Sequence, residues 1–209
     1  MHGSTLRERQ RQLREDAILD AAHELLLEQG YAAMSMDDVA ARVGISKATL
    51  YQHVTSKEDL IVQVILRAME RGEQQIIALD PTLPAIQRLE QLVRNAITGR
   101  SDFWTARPML PPSLVRDNAR YQEQAQRIRY TIADMVDAAK AEGDIAPHLA
   151  TPVIVQLIVS TIRDMSYGEL LADGGIERAM VSDTLIDLLL NGLRTRSKLD
   201  SVLGKLESV

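Results

Sequence analysis

The amino-acid sequence predicts an all-α fold. Apolar residues recur at intervals of three and four through most of the 209 residues, which is the period of one helix face. Helix start and stop signals punctuate these stripes, with Ser or Thr before them and Gly or Pro after them. Although 45% of the chain is hydrophobic, it lacks the alternating β-branched runs that mark half-buried strands.

The first helix is expected over about residues 7–29, with Leu13, Ala17, Ala21 and Leu25 on one face, Ile18, Ala22 and Leu26 beside it, and Gly30 at its C′ position. Along it Asp16, Asp20, Glu24 and Glu28 recur every fourth residue, a stripe expected to face water. Ser35 then N-caps a short helix whose first turn holds Asp37 and Asp38, where hydroxyl and carboxylates complement the free N–H groups. Val39, Ala40 and Val43 give that helix a buried stripe, and Gly44 ends it, since only glycine takes positive φ without a Cβ penalty. Ser46 N-caps the next helix, with Leu50 and Val54 inward and Lys47, Ala48, Thr49, Tyr51, Gln52 and His53 outward. Ser56 with Asp59 reads as the capping box of a long helix through Leu60, Val64, Ile65 and Met69, stopped near Leu79 by Asp80-Pro81.

Two short helices around a glycine turn, the second polar and basic on its outer face, form a DNA-reading module, because phosphates and base edges need such donors. An ordinary αα-hairpin is the alternative, and the glycine turn with the outward polar helix argues against it.

The run GISKATLYQHVTSKEDL, preceded by ILDAAHELLLEQGYAAMSMDDVAARV, resembles the DNA-binding domain of the TetR family of bacterial transcriptional regulators. Ala21-Ala22, Gly30-Tyr31, Asp38-Val39-Ala40, Gly44, Thr49-Leu50-Tyr51 and Ser56-Lys57-Glu58 carry the resemblance, which covers roughly residues 13 to 73. It implies an N-terminal three-helix helix-turn-helix domain, residues 1–56, and a C-terminal helical ligand-binding and dimerisation domain, residues 57–209. It further implies that the helix beginning at Ser46 enters the major groove. Lys47, Thr49, Gln52 and His53 would contact bases or phosphates, with Ser46 and Ala48 on the same surface, and Tyr51 and Lys57 would hold phosphates. Val54 and Met36 depart from the family pattern, in packing positions rather than reading ones.

The net charge of −5 would by itself argue against nucleic acid. The distribution answers this. Residues 1–14 hold Arg7, Arg9, Arg11 and Arg14 against Glu8 alone, and residues 39–57 hold Arg42, Lys47 and Lys57 with no acid. The N-terminal arginines read equally as a solvated arm and as a phosphate or minor-groove arm.

Beyond Pro84, helices are expected over 85–100, around 103–110 and over 113–142, the last ending at Gly143. Phe103 and Trp104, the chain's only Phe and Trp, sit in a Pro-broken stretch with Met109. Together with Met135 they are candidates to line an apolar ligand cavity, since rings and thioethers adapt to odd shapes; filling the core is the alternative role. Thr151-Pro152 opens a helix in N-cap and N1 positions. The helices expected over about 152–171 and 177–194 are apolar nearly all round, more than one small bundle can cover, so homodimer formation through them is expected. Arg163-Asp164 within the first suits an internal ion pair, an interface pair or a ligand handle.

Zero cysteines exclude disulfides and thiolate metal sites. His2, His23, His53 and His148 show no metal-ligand spacing, and neither a phosphate loop nor a nucleophile elbow is present, so neither a catalytic residue nor a metal or cofactor is expected. With no secretory signal or membrane-length apolar stretch, the cytoplasm is the expected compartment. The expected function is a homodimeric repressor, released from a palindromic double-stranded DNA operator by a small-molecule effector. The alternative is a ligand-independent DNA-binding structural or adaptor protein whose C-terminal domain binds another protein.

Overall fold

The computed structural model describes residues 5–97, 113–163 and 177–193, and over these the chain is all-α. The helices are α1 (Leu6–Ala33), α2 (Met36–Val43), α3 (Lys47–Leu50), α4 (Lys57–Ile77), α5 (Ala85–Ile97), α6 (Ser113–Arg116), α7 (Ala119–Ala141), α8 (Thr151–Arg163) and α9 (Arg178–Leu193). The chain divides into two compact units, residues 5–70 with 113–122 and residues 71–97 with 123–163 and 177–193. This division lies inside α4, after Glu70. The first turns of α4 group with the N-terminal unit because that unit holds them: Arg67 donates to the Asp16 carbonyl at 3.2 Å and to the Asp20 carboxylate at 2.6 Å.

In the N-terminal unit α1 runs as one element from Leu6 but turns at buried Gly30, whose φ of 76° and ψ of 168° no helix and few side-chain-bearing residues adopt. Three further residues coil before Met34 donates to the Gly30 carbonyl at 3.2 Å. The buried stripe of α1 begins at Ile18; Leu13 is 69% exposed and Ala17 exposed as well, against expectation, since the unit meets that turn of α1 on another side, through Arg67 at Asp16 and His53 at Glu15. The acidic stripe also departs from expectation. Instead of facing only water, Glu24 and Glu28 hold Arg42 of α2, and Asp16 and Asp20 hold Arg67 of α4.

In the C-terminal unit α5 packs against both α8 and α9. Ile86, Leu89 and Val93 of α5, Ile132 and Val136 of α7, Ile158 of α8 and Leu190 of α9 belong to one core, in which Met135 is also buried. Phe103, Trp104 and Met109 lie outside the described residues, as do Asp164 and the expected remainders of the two C-terminal helices, residues 164–171 and 194.

The single helix expected over 113–142 is broken between α6 and α7. Asn118 causes the break, its side-chain oxygen accepting the Tyr121 N–H at 3.0 Å as an N-cap. Nor does Thr151 cap α8, since it is already the first helical residue. Lys140 donates to its hydroxyl at 2.6 Å, and that hydroxyl donates to the Asp137 carboxylate. A long-range cap replaces a local one at α5, where the Ala85 N–H donates to the Glu142 carboxylate at 2.8 Å.

Candidate nucleic-acid interface

The site is built from local caps. The Ser35 hydroxyl accepts the Asp38 N–H at 3.2 Å while the Asp38 carboxylate accepts the Ser35 N–H at 2.9 Å, closing a capping box at the start of α2. The Ser35 hydroxyl and backbone N–H, both donating to Asp38, hold its carboxyl below the usual aspartate range. At the other end Gly44 takes φ 75° and ψ 33°, and Ile45 N–H reaches back to the Ala40 carbonyl at 3.0 Å, so the chain reverses within two residues. The Ser46 hydroxyl then accepts the Thr49 N–H at 3.1 Å and starts α3.

The regular part of α3 is shorter than expected and continues as tighter turns, with Gln52 donating to the Thr49 carbonyl at 3.1 Å and His53 to the Leu50 carbonyl at 2.9 Å. Leu50 and Val54 are 0% and 3% exposed and anchor the segment from beneath. On the outer side Ser46, Lys47, Ala48, Tyr51 and Gln52 are exposed, and Thr49 is half-buried with its hydroxyl 2.8 Å from that of Ser46.

Two of the expected reading residues have partners that the sequence did not suggest. Lys47 Nζ lies 2.8 Å from Asp37 Oδ2, and this carboxylate holds the ammonium well into its charged form. Expected to point outward, His53 is turned in: its side chain is 8% exposed, with Nδ1 3.4 Å from Glu15 Oε1 of α1. The physical reason is the turn geometry after Leu50, which rolls residue 53 off the outer face and toward α1. Glu15 also accepts from Arg11 Nε at 2.8 Å, and that guanidinium first, with His53 after it, keeps the Glu15 carboxyl below the usual glutamate range.

At the start of α4, Lys57 Nζ stands 4.4 Å from the centroid of the Tyr31 ring, a cation–π distance. The Tyr31 hydroxyl donates to Glu58 at 3.1 Å; burial and then this acceptor push the phenol pKa up. The Asp59 N–H donates to the Ser56 hydroxyl at 3.1 Å, but the Asp59 carboxylate reaches past Ser56 and accepts the Thr55 N–H at 2.8 Å, a variant of the expected box. Arg42 is not part of a free basic face, since it forks onto Glu28 at 3.0 and 2.7 Å and onto Glu24 at 3.2 Å. Among the described residues, the cations left near the outer surface of the reader are therefore Lys47, beside Asp37, and Lys57, over the Tyr31 ring.

Residues 18–64 match the family model described as bacterial regulatory proteins, tetR family. The chain belongs to the TetR family. It is a DNA-binding transcriptional regulator and not an enzyme. Among curated TetR-like relatives, the HTH-type transcriptional regulator UidR of Escherichia coli K12 is 26% identical over 159 residues, which cover 73% of this chain and 78% of that protein. The fold is that of the fatty acid degradation regulator FadR from Bacillus halodurans, at a TM-score of 0.74 and 20% identity, over 88% of this chain and 97% of that one. A second TetR-like fold, FadR from Bacillus subtilis in complex with stearoyl-CoA, superimposes at a TM-score of 0.62 and 21% identity, over 86% of this chain and 99% of that one. No helix among the described residues is long and apolar enough to cross a membrane, and no cluster of metal-ligating side chains occurs among them.

Proposed function

We propose that this regulator is a homodimeric cytoplasmic repressor that holds a palindromic operator and leaves it when an acyl-coenzyme A thioester occupies its C-terminal domain. The observation that carries the DNA-reading roles is the outer side of α3, where Lys47, Thr49, Tyr51 and Gln52 are presented over the buried anchors Leu50 and Val54. Gln52 offers the amide that pairs bidentately with a base edge, and Lys47, Tyr51 and Lys57 offer donors to phosphates, which set register without reading sequence. His53 acts from beneath, through Glu15.

Dimer formation is supported by Val153 and Leu157 on α8 and Met180 and Leu188 on α9, which are 67%, 47%, 60% and 71% exposed. Each pair lies at intervals of four or eight residues, hence on one helix face, and an isologous pairing of such faces would remove both from water. Two readers related by a dyad then require two half-sites, which is what a palindrome supplies. The ligand class is taken from the stearoyl-CoA held by the B. subtilis neighbour. Release is a population shift: the ligand favours a conformer in which α4, whose residues belong to both units, no longer presents the readers to successive grooves.

Fluorescence anisotropy on duplexes from the DNA flanking the gene tests this reading. Lys57→Ala is expected to weaken binding to every duplex and to flatten the salt slope by about one per lost phosphate contact, whereas Gln52→Ala is expected to relax preference at one base by about 1–3 kcal/mol. Stearoyl-CoA is expected to dissociate the complex. Equal binding of all operator variants by Gln52→Ala would remove its base-reading role, and a complex indifferent to acyl-CoA would remove the ligand class.

A further inference from the structure

The reader leaves the beginning of α1 without a role. Residues 5–14 are all exposed, with Leu6 and Leu13 at 72% and 69%, so among the described residues the segment is buried against no other part. It is nevertheless a built helix rather than a frayed tail. The Thr5 hydroxyl accepts the Glu8 N–H at 3.3 Å while the Glu8 carboxylate accepts the Thr5 N–H at 2.6 Å, a full capping box before the first turn. An exposed helix this short is marginal by itself, and continuity with the anchored part of α1 sustains it.

Its cations are arranged on one face. Arg7, Arg11 and Arg14 follow one another at intervals of four and three, and the same alternation continues through Ile18, Ala21 and Leu25, which are buried. The side that α1 turns toward its own unit is thus apolar where the unit covers it and arginine where the unit ends. Arg7 and Arg14 form no ion pair among the described residues, and seven residues separate them by about 10 Å along the helix, the axial rise of about three nucleotides of one strand. Where this extension leaves the unit is also defined. Glu15 accepts from Arg11 at 2.8 Å on one side and lies 3.4 Å from His53 Nδ1 on the other, so the arginine helix departs from beside the end of the reading segment.

We propose that residues 5–14 form a second DNA contact, in which Arg7 and Arg14 bind the phosphodiester backbone flanking the half-site that α3 reads, and the Arg11–Glu15–His53 chain keeps the extension in place beside α3. This rests on the DNA-reading role of α3. Arginine suits it because its guanidinium forks onto phosphate oxygens and stays charged. An anionic membrane surface fits less well: Leu6 and Leu13 are the extension's only large apolar side chains, among Glu8, Gln10 and Gln12, too little apolar surface for an interfacial helix.

The test is a salt titration of operator binding by the full chain and by its Arg7→Ala, Arg14→Ala variant, on a duplex with native flanks and on one trimmed to the half-sites. On the flanked duplex the variant is expected to lose about two from the slope of log K against log salt for each bound subunit, at about 0.9 per phosphate. Preference for operator over scrambled DNA is expected to persist, because phosphate contacts carry no sequence, and on the trimmed duplex the two proteins should bind alike. Arg7→Lys, Arg14→Lys should recover most of the slope. Equal slopes on the flanked duplex overturn the proposal, as does an unchanged slope with loss of binding to phosphatidylcholine–phosphatidylglycerol vesicles, which would assign the arm to lipid. If the unaltered protein prefers no duplex, the reading role of α3 falls and this inference with it, a result distinct from intact operator binding that ignores the arm.

Discussion

Gly44 shows how much a single backbone position carries. Its φ of 75° is left-handed, and a Cβ built on it meets nothing within 4 Å, so only the dihedral penalty opposes a side chain there. Gly44→Ala is therefore expected to cost about 1–2 kcal/mol, measurable as a lower urea midpoint with an unchanged m-value. Asp38 is the other instructive residue. Its carboxyl lies below the usual range because Ser35 donates to it twice, so its stabilising effect is complete above the unfolded aspartate value of about 4 and is lost as pH falls through the lower folded value. Thermal melts at descending pH should show the N-terminal unit weakening below about pH 4, and Asp38→Ala should flatten that acid limb. An acid limb of equal depth in the variant would assign the loss to other carboxylates.

At the scale of the element, α3 is too short to stand by its own hydrogen bonds and depends on what lies beneath it. Leu50 is wholly buried, and Leu50→Ala is expected to cost about 2–5 kcal/mol, the range for deleting a core leucine. Differential scanning calorimetry would show this as a lower midpoint, accompanied by lost operator binding at temperatures where the wild type still binds. The outer residues of α3 behave in the opposite way, contributing little to folding because they touch water. Stability and the proposed reading role are thus divided between two faces of one short segment. His53 joins them, being close to the reading residues in sequence but packed toward Glu15 in space.

For the whole molecule the informative contrast lies in the C-terminal unit. Ile158 and Leu190 are buried at 0% and 1%, while Leu188, two residues from the latter, is 71% exposed. A chain acting alone would gain little from a leucine there, whereas a pairing of α8 and α9 faces with a second copy would bury it. Leu188→Asp is expected to leave helical circular dichroism intact and to shift sedimentation velocity from dimer to monomer. A variant that sediments like the wild type would remove this face from the dimer. Because α4 has residues in both units, the same element that caps onto the reader also contributes Ile76 to the packing of the C-terminal core.

Much of this protein was legible in its amino-acid order because many of its decisive interactions span four residues or fewer. The caps at Ser35 and Ser46, the left-handed glycine at 44 and the apolar stripe of α4 need only spacing and side-chain chemistry, and they delimit the reader before any tertiary contact exists. The reach of Asp59 to Thr55 and the break at Asn118 are local too, but there competing caps of similar strength left the choice open. The tertiary structure alone decided which distant charges meet. Arg42 finds Glu24 and Glu28, Lys47 finds Asp37, His53 turns to Glu15, and Glu142 caps α5 from 57 residues away. Those pairings depend on where one helix crosses another, and crossing is set by the packing of buried side chains, which a periodic pattern announces without specifying the partner.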